Sequence, residues 1–389
     1  MNETASKTKN RSRRGQGEGS ITQLADGRWQ ARVDLGWVDG KRKRKAIYAK
    51  TRVEVSKKLN KSLTDHQNGL PLPDERLTVD AYLTRWLSDV AKPTVRTSTY
   101  EGYERKVRLH VTPELGRVAL AKLGPRELSK LYGTLLAKGL APATVQYVHA
   151  ILHRALDQAM RWNLIARNPV ELVDAPRPER HEVTALSAEQ VSKLLATAAG
   201  DRHEALYVVA VTGGLRLGEI LGLRWADLDW ATGALQVRRS LGRTKQNGLA
   251  FTEPKTQKGR RSVALPTIAL DALRRHTGRQ LEDKMKVRNL WDEGDLIFPN
   301  EIGRPIERQN LVRRSFKLML TKAELPPIRF HDLRHTTATL LLQLGEHPKV
   351  VQERLGHATI AVTMDIYSHV MPDLQQAAAT KLDRLLAAR

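Results

Sequence analysis

The chain has 389 residues, with 65 Lys and Arg against 42 Asp and Glu and no cysteine, for a formal net charge of +23. That length suggests two or three domains, and a 41% hydrophobic share is enough for packed cores. The missing cysteines exclude disulfides and thiolate zinc sites and fit a reducing cytoplasm, and no run approaches the roughly 18 apolar residues of a membrane span. So large a positive charge calls for a polyanionic partner, nucleic acid before a membrane surface.

The charge is concentrated at the start. Residues 1–70 hold 17 Lys and Arg against 7 Asp and Glu. Residues 1–15 are polar and charged, have no apolar core of a signal peptide, and read as a disordered basic tail. From 16 to 68 alternating runs are punctuated by Asp26-Gly27 and Asp39-Gly40, both hairpin signals, and then give way to a helical pattern from Val53. This predicts a small α+β domain, a three-stranded sheet with one helix. Arg28, Arg32, Lys43, Arg44 and Lys45 are its candidate DNA contacts, on a face able to lie in a groove. A solvated basic sheet without a ligand is the alternative.

Gly69-Leu70-Pro71-Leu72-Pro73 reads as a linker. Over 74–174 the period is helical. Val79, Tyr82, Leu83 and Trp86 share one face, as do Val145, Val148, Leu152, Ala155 and Ala159, which predicts an all-α domain of four or five helices. Ala175-Pro176-Arg177-Pro178 forms a second linker. The third domain, 180–389, opens on a capping box at Ser187 and Gln190. It is expected to be mainly α with a small antiparallel sheet, its strands near Ala234–Arg239, Leu249–Thr252 and Arg261–Leu265.

The stretch HDLRH, 331–335, admits two chemistries. His331 and His335 could hold zinc, as in metalloproteases, or His331 and Arg334 could hold a phosphate. Asp332 is shorter than the glutamate a zinc protease uses, and the cation Arg334 would sit beside the metal, so phosphate is preferred. That reading requires further cations. Gly213-Gly214 ends an apolar helix and Arg216 starts the next, where backbone N–H groups also favour anions. Glu219, one turn on, can hold its guanidinium; alone, the pair reads equally as a surface ion pair. Lys255 lies in the turn before the last strand, with Lys258 a close rival. Gly356-His357 follows a short helix, and Ile360, Thr363, Met364 and Tyr367 recur at helical spacing. Tyr367 thus faces inward, either as a core tyrosine or as a nucleophile.

The order Arg216, Lys255, His331-x-x-Arg334, His357, Tyr367, with the words TGGLRLGEILGLRW, PKT, HDLRHTTATLL and LGH, resembles the tyrosine recombinases, the phage-integrase family. The resemblance covers the whole third domain; the helical domain resembles the family's core-binding domain and the basic module its arm-binding domain. It implies a site-specific DNA recombinase, encoded by a phage or another mobile element, acting as a homo-tetramer on double-stranded DNA with core and arm sites. Accessory DNA-bending and directionality factors belong to that picture. Tyr367 would be the nucleophile of a 3′-phosphotyrosyl intermediate, which conserves bond energy, so neither a metal nor another cofactor is implied. His331 fits the general base, Lys255 the general acid, His357 a further donor to the phosphate, and Glu219 the group that orients Arg216. A type IB topoisomerase and a DNA-binding regulator with a decayed site are the alternatives. The basic N-terminal module disfavours the first, and the complete set of six residues the second.

Overall fold

The computed structural model describes residues 20–38, 41–67, 76–179, 184–253, 259–361, 363–364 and 374–387. The chain divides into two compact units, 1–179 and 180–389. The first contains a small α+β domain followed by an all-α domain; the second is mainly α with small sheets.

In the α+β domain β1 (Ser20–Gln23), β2 (Trp29–Val38) and β3 (Lys41–Ala49) form an antiparallel sheet in that order. Asp26-Gly27 turns the chain as its composition predicts: Gly27 takes φ 82°, which only glycine adopts without cost. Asp39-Gly40 lies outside the described residues. Helix α1 (Arg52–Gln67) lays Val55 and Leu59 on Ala31, Val33 and Ala49, giving this domain its own small core.

The all-α domain follows its apolar periodicity. Helix α2 (Val79–Trp86) is capped by Thr78, whose hydroxyl accepts from the Ala81 N–H. It runs on through a π-helical turn, Leu87–Ala91, into Lys92–Thr94. Helix α3 (Thr97–Lys106) does the same through Val107–Val111 into Thr112–Leu115. Each π turn stands just ahead of a proline, Pro93 or Pro113, whose ring and missing N–H disfavour the ordinary bond four residues back. Helices α4 (Pro125–Ala137) and α5 (Pro142–Arg161) both start on a proline, where no intrahelical N–H is needed. Both predicted faces are buried in one core. The Tyr82 hydroxyl donates to the Ala155 carbonyl across it, and Trp86 stacks on Tyr103.

In the second unit Ser187 and Gln190 exchange both capping bonds at the start of α6 (Ala188–Ala198). Helix α7 (Glu204–Gly213) is buried on all sides, as its unbroken apolar run requires. The short α8 (Leu217–Ile220) follows. The β region differs from the single sheet expected. Strands β4 (Leu228–Asp229), β5 (Ala234–Val237) and β8 (Arg261–Ala264) form one antiparallel sheet, and β6 (Ser240–Thr244) pairs with β7 (Gly248–Thr252) in a separate hairpin. Strand β6 escaped the pattern because Leu241 is the one apolar side chain in SLGRT, and Arg243 stands where alternation asks for the next. Strand β5 stops at Val237, and Arg239 turns away to pair with the buried carboxylate of Asp227. Helices α9 (Thr267–Val287), α10 (Arg308–Leu311), α11 (Asp332–Gln343), α12 (Pro348–Leu355) and α13 (Leu374–Ala387) follow, with α10 running on through a π turn, Val312–Phe316, into Lys317–Lys322. Among the described residues no helix is long and apolar enough to cross a membrane.

Candidate active site

Helix α7 ends at Gly214, which takes the left-handed conformation at φ 62°. A Cβ there would stand 2.4 Å from Leu355 of α12 and 3.2 Å from Thr337 of α11. Glycine thus lets three helices converge, and the convergence builds the site.

Arg216 sits at the N-cap of α8, as the sequence predicts. Its backbone N–H and its Nη1 both donate to Glu219, at 3.0 and 2.8 Å, and its Nη2 reaches the Gly356 carbonyl at 3.4 Å. Glu219 is 3% exposed. Burial pushes its carboxyl up, but the charge and hydrogen bond of Arg261 and the bonds from Arg216 outweigh that and hold it below the usual range.

Arg334 enters from the first turn of α11 and is 3% exposed. Its Nη1 donates to the Gly214 carbonyl at 2.8 Å, while its Nη2 is buried with no hydrogen-bond partner among the described residues. Burial, and then the charges of Arg216 and Arg261, lower its pKa to about 9, which still leaves it charged at neutral pH. A buried cation with an unused donor is costly unless an anion arrives to meet it.

His331 caps α11 and packs edge-on against His335, ring centroids 5.2 Å apart. The residue as a whole is exposed, yet partial burial of the ring, and then the charges of His335, Arg334 and Arg216, lower its pKa to about 4. His357 is buried behind Gly356; its Nδ1 meets the Thr363 hydroxyl at 2.9 Å, and burial followed by Arg334 and Arg216 lowers its pKa to about 4. Both rings are therefore neutral at pH 7, one able to accept a proton, the other with no hydrogen bond at Nε2 among the described residues.

Arg216 and His331 line an open groove of about 870 Å³, with Arg308, Lys317 and Arg329 on its walls. The zinc reading of HDLRH meets a specific obstacle here. Asp332 is buried and its carboxylate accepts from the Arg329 N–H, Nε and Nη2 at 2.8 to 3.2 Å, so it is engaged by Arg329. Among the described residues the one His/Asp/Glu group of metal-ligand spacing is His153, Asp157 and Glu171, in the first unit.

Lys255, its rival Lys258, and Tyr367 lie outside the described residues. The helical stripe expected before Tyr367 is only partly realised. Thr363 is fully buried by its bond to His357, while Ile360 and Met364 are exposed.

On the N-terminal sheet the register sorts the candidate cations. Arg32 faces Ala46 and Asp34 faces Arg44, on the side away from α1. Arg28 lies over the ring of exposed Tyr48 on that side, although Asp26 pairs with it. Lys45 faces Val33 and shares the opposite parity, so it does not belong to that face. The side chain of Lys43 is outside the description.

Arg261 and Arg354 form part of the same network and carried no signal that the motifs used, while Thr363 stood in the sequence only as a member of the helical stripe. Arg261 does share the parity of buried Val263 on β8, which was a readable sign of inward placement.

Arg216 and His331 on an open groove, with the buried Arg334 and His357 close enough to couple electrostatically with them, define a site suited to holding a phosphodiester. Residues 184–373 match the phage integrase family, and residues 78–136 match the phage integrase N-terminal SAM-like domain. That second match falls on the helical domain, not on the sheet before it. The chain is 30% identical to the tyrosine recombinase XerC-like protein of Caldanaerobacter subterraneus subsp. tengcongensis, over 89% of this chain and 93% of the relative. Its fold is similar to the Tn1549 transposon integrase in complex with transposon right end DNA, with a TM-score of 0.68 and 24% identity, over 79% of this chain and 99% of that one. It is also similar to a lambda integrase tetramer bound to a Holliday junction, with a TM-score of 0.57 and 19% identity, over 91% and 96%. The chain belongs to the tyrosine recombinase, or phage integrase, family. Its function is site-specific DNA recombination by cutting and rejoining strands.

Proposed function

We propose that the chain integrates and excises a mobile element through a 3′-phosphotyrosyl intermediate, with Arg216, Lys255, His331, Arg334, His357 and Tyr367 as the reacting set. The observation that supports this most is the buried Nη2 of Arg334, without a partner among the described residues, beside Arg216 and His331. In this reading Tyr367 Oη attacks the phosphorus and passes its proton to His331. The bond to the 5′-oxygen breaks, and that oxygen takes a proton from Lys255. A 5′-hydroxyl from another strand then reverses the step. Ionising a tyrosine of pKa near 10 at pH 7 costs about 4 kcal/mol, and each preorganised arginine donor is worth roughly 3–4 kcal/mol, so two offset that cost and stabilise the charged phosphorane as well. His357 would add one hydrogen bond through Nε2. No step needs a metal or another cofactor.

The domain assignment follows the same reading: 1–15 a basic tail, 16–68 an arm-site module, 74–174 the core-site domain, 180–389 the catalytic domain. Arg28, Arg32 and Arg44 on the open face of the sheet are the arm contacts the geometry favours, with Lys43 and Lys45 as flanking cations. The lambda tetramer supports a homo-tetramer on two duplexes, to which bending and directionality factors can be added. The place of action is the cytoplasm, on the nucleoid.

The test is covalent capture. A nicked suicide duplex carrying the inverted repeats that flank the encoding gene should give a protein–DNA adduct with the wild type. Tyr367→Phe, which keeps the ring, should bind the same duplex and give none. An adduct from Tyr367→Phe would remove Tyr367 as the nucleophile.

A further inference from the structure

Glu219 is shared by two arginines. Arg216 is 44% exposed and looks into the groove, whereas Arg261 has a side chain 6% exposed and donates from Nη2 to Glu219 at 3.0 Å. By charge, Arg216 and Glu219 alone would cancel and leave a poor phosphate ligand. With Arg261 present the cluster keeps one positive charge, and the exposed arginine is the one free to present it. Arg261 is also fixed from behind. Its Nε donates to the Arg354 carbonyl at 2.7 Å and its Nη1 to the Gly259 carbonyl at 3.3 Å. Arg354 in turn holds the Thr212 and Ala264 carbonyls, at 2.8 and 3.0 Å. One buried guanidinium therefore links β8, α8 and the end of α12, which leads directly to Gly356 and His357.

We propose that Arg261 is a positioning residue for strand cleavage: it neutralises Glu219 permanently, so that Glu219 orients Arg216 without consuming the charge Arg216 gives to the DNA phosphate. The inference rests on the reading of Arg216 as a phosphate-holding arginine. Lysine at 261 can supply the charge but not the fork that reaches Glu219 and two carbonyls at once.

The experiment is a double-mutant cycle in single-turnover cleavage of the same suicide duplex, with binding to that duplex measured by gel shift. Arg261→Gln should slow cleavage by roughly 30-fold with unchanged duplex affinity, because a preorganised donor loses alignment without leaving the site. Arg261→Lys should recover part of the rate. Combining Arg261→Gln with Arg216→Ala should be no slower than Arg216→Ala alone, since the effect passes through Arg216. If the two losses multiply, or Arg261→Gln cleaves at the wild-type rate, the inference fails. If Arg261→Gln does not fold, the same cycle run with Arg261→Lys decides by the same additivity criterion. Normal cleavage by Arg216→Ala would instead overturn the reading of the site on which the inference stands.

Discussion

At position 334 a guanidinium is 3% exposed, bonded through one nitrogen to the Gly214 carbonyl, and left with a second nitrogen unpaired among the described residues. Such a group is held ready for an anion at a cost to the free protein. Arg334→Ala should slow adduct formation by at least ~100-fold while the protein becomes no less stable to urea, since the desolvation cost of a buried charge is removed along with a bond. A wild-type cleavage rate for that variant would contradict the role. The lysine expected as general acid is open between two residues of the segment between β7 and β8. Lys255→Ala should block cleavage of ordinary DNA and be rescued by a 5′-bridging sulfur, whose thiolate leaves without a proton. Rescue of Lys258→Ala instead would move the general acid to Lys258.

Among the elements, the junction of α7, α11 and α12 is the least tolerant of added volume. Gly214→Ala forces a methyl to within 2.4 Å of Leu355 at a positive φ, and displaces the carbonyl that aligns Arg334. It should cost about 1–3 kcal/mol in urea denaturation and lower the cleavage rate disproportionately. Helix α7 is secured at its other end by Glu204, whose buried carboxylate takes Arg275 at 2.6 Å, Arg279 at 2.5 Å and the Gly200 N–H at 3.0 Å. Burial pushes this carboxyl up, but the two arginines and the backbone bond prevail and bring it down to about 2. A carboxyl with a lowered folded pKa stabilises fully above its unfolded value near 4.5, and that contribution is lost as the pH falls toward 2. Denaturation of the wild type should therefore show stability falling over that window. Glu204→Gln should flatten the profile there and cost up to ~3 kcal/mol at pH 7. A variant with the wild-type pH profile would show that the pair contributes nothing.

At the scale of the whole molecule, α13 leaves Leu382 and Leu386 56% and 70% exposed on their own chain. Both belong to the apolar stripe visible in the sequence from Leu374 to Leu386. Burying each leucine on a neighbouring copy would contribute roughly 1.5–3 kcal/mol gross. Truncation after Asp373 should leave binding to a single site intact and weaken cooperative binding to paired sites in gel-shift titrations. Unfolding of the truncated protein would show instead that the helix packs on its own domain.

The sequence by itself determined what local chemistry can determine. Gly27 and the Ser187 box are written in the residues they require, and the buried faces of α2 and α5 in a 3.6-residue period. Arg216, His331, Arg334 and His357 are legible as cations and imidazoles placed at helix ends, where backbone turns point them outward from their own elements. The tertiary structure decided the rest, because burial and partnership are relations between distant segments. Arg260 and Arg261 are the same residue type side by side. Only the packing of β8 against α8 and α12 places Arg261 on Glu219, while Arg260 stays exposed against Glu253. Strand register decided in the same way that Arg32 and Arg44 share a face that Lys45 does not. It also decided that β6 and β7 form their own hairpin, since a ladder of backbone bonds across two strands leaves little trace in side-chain identity.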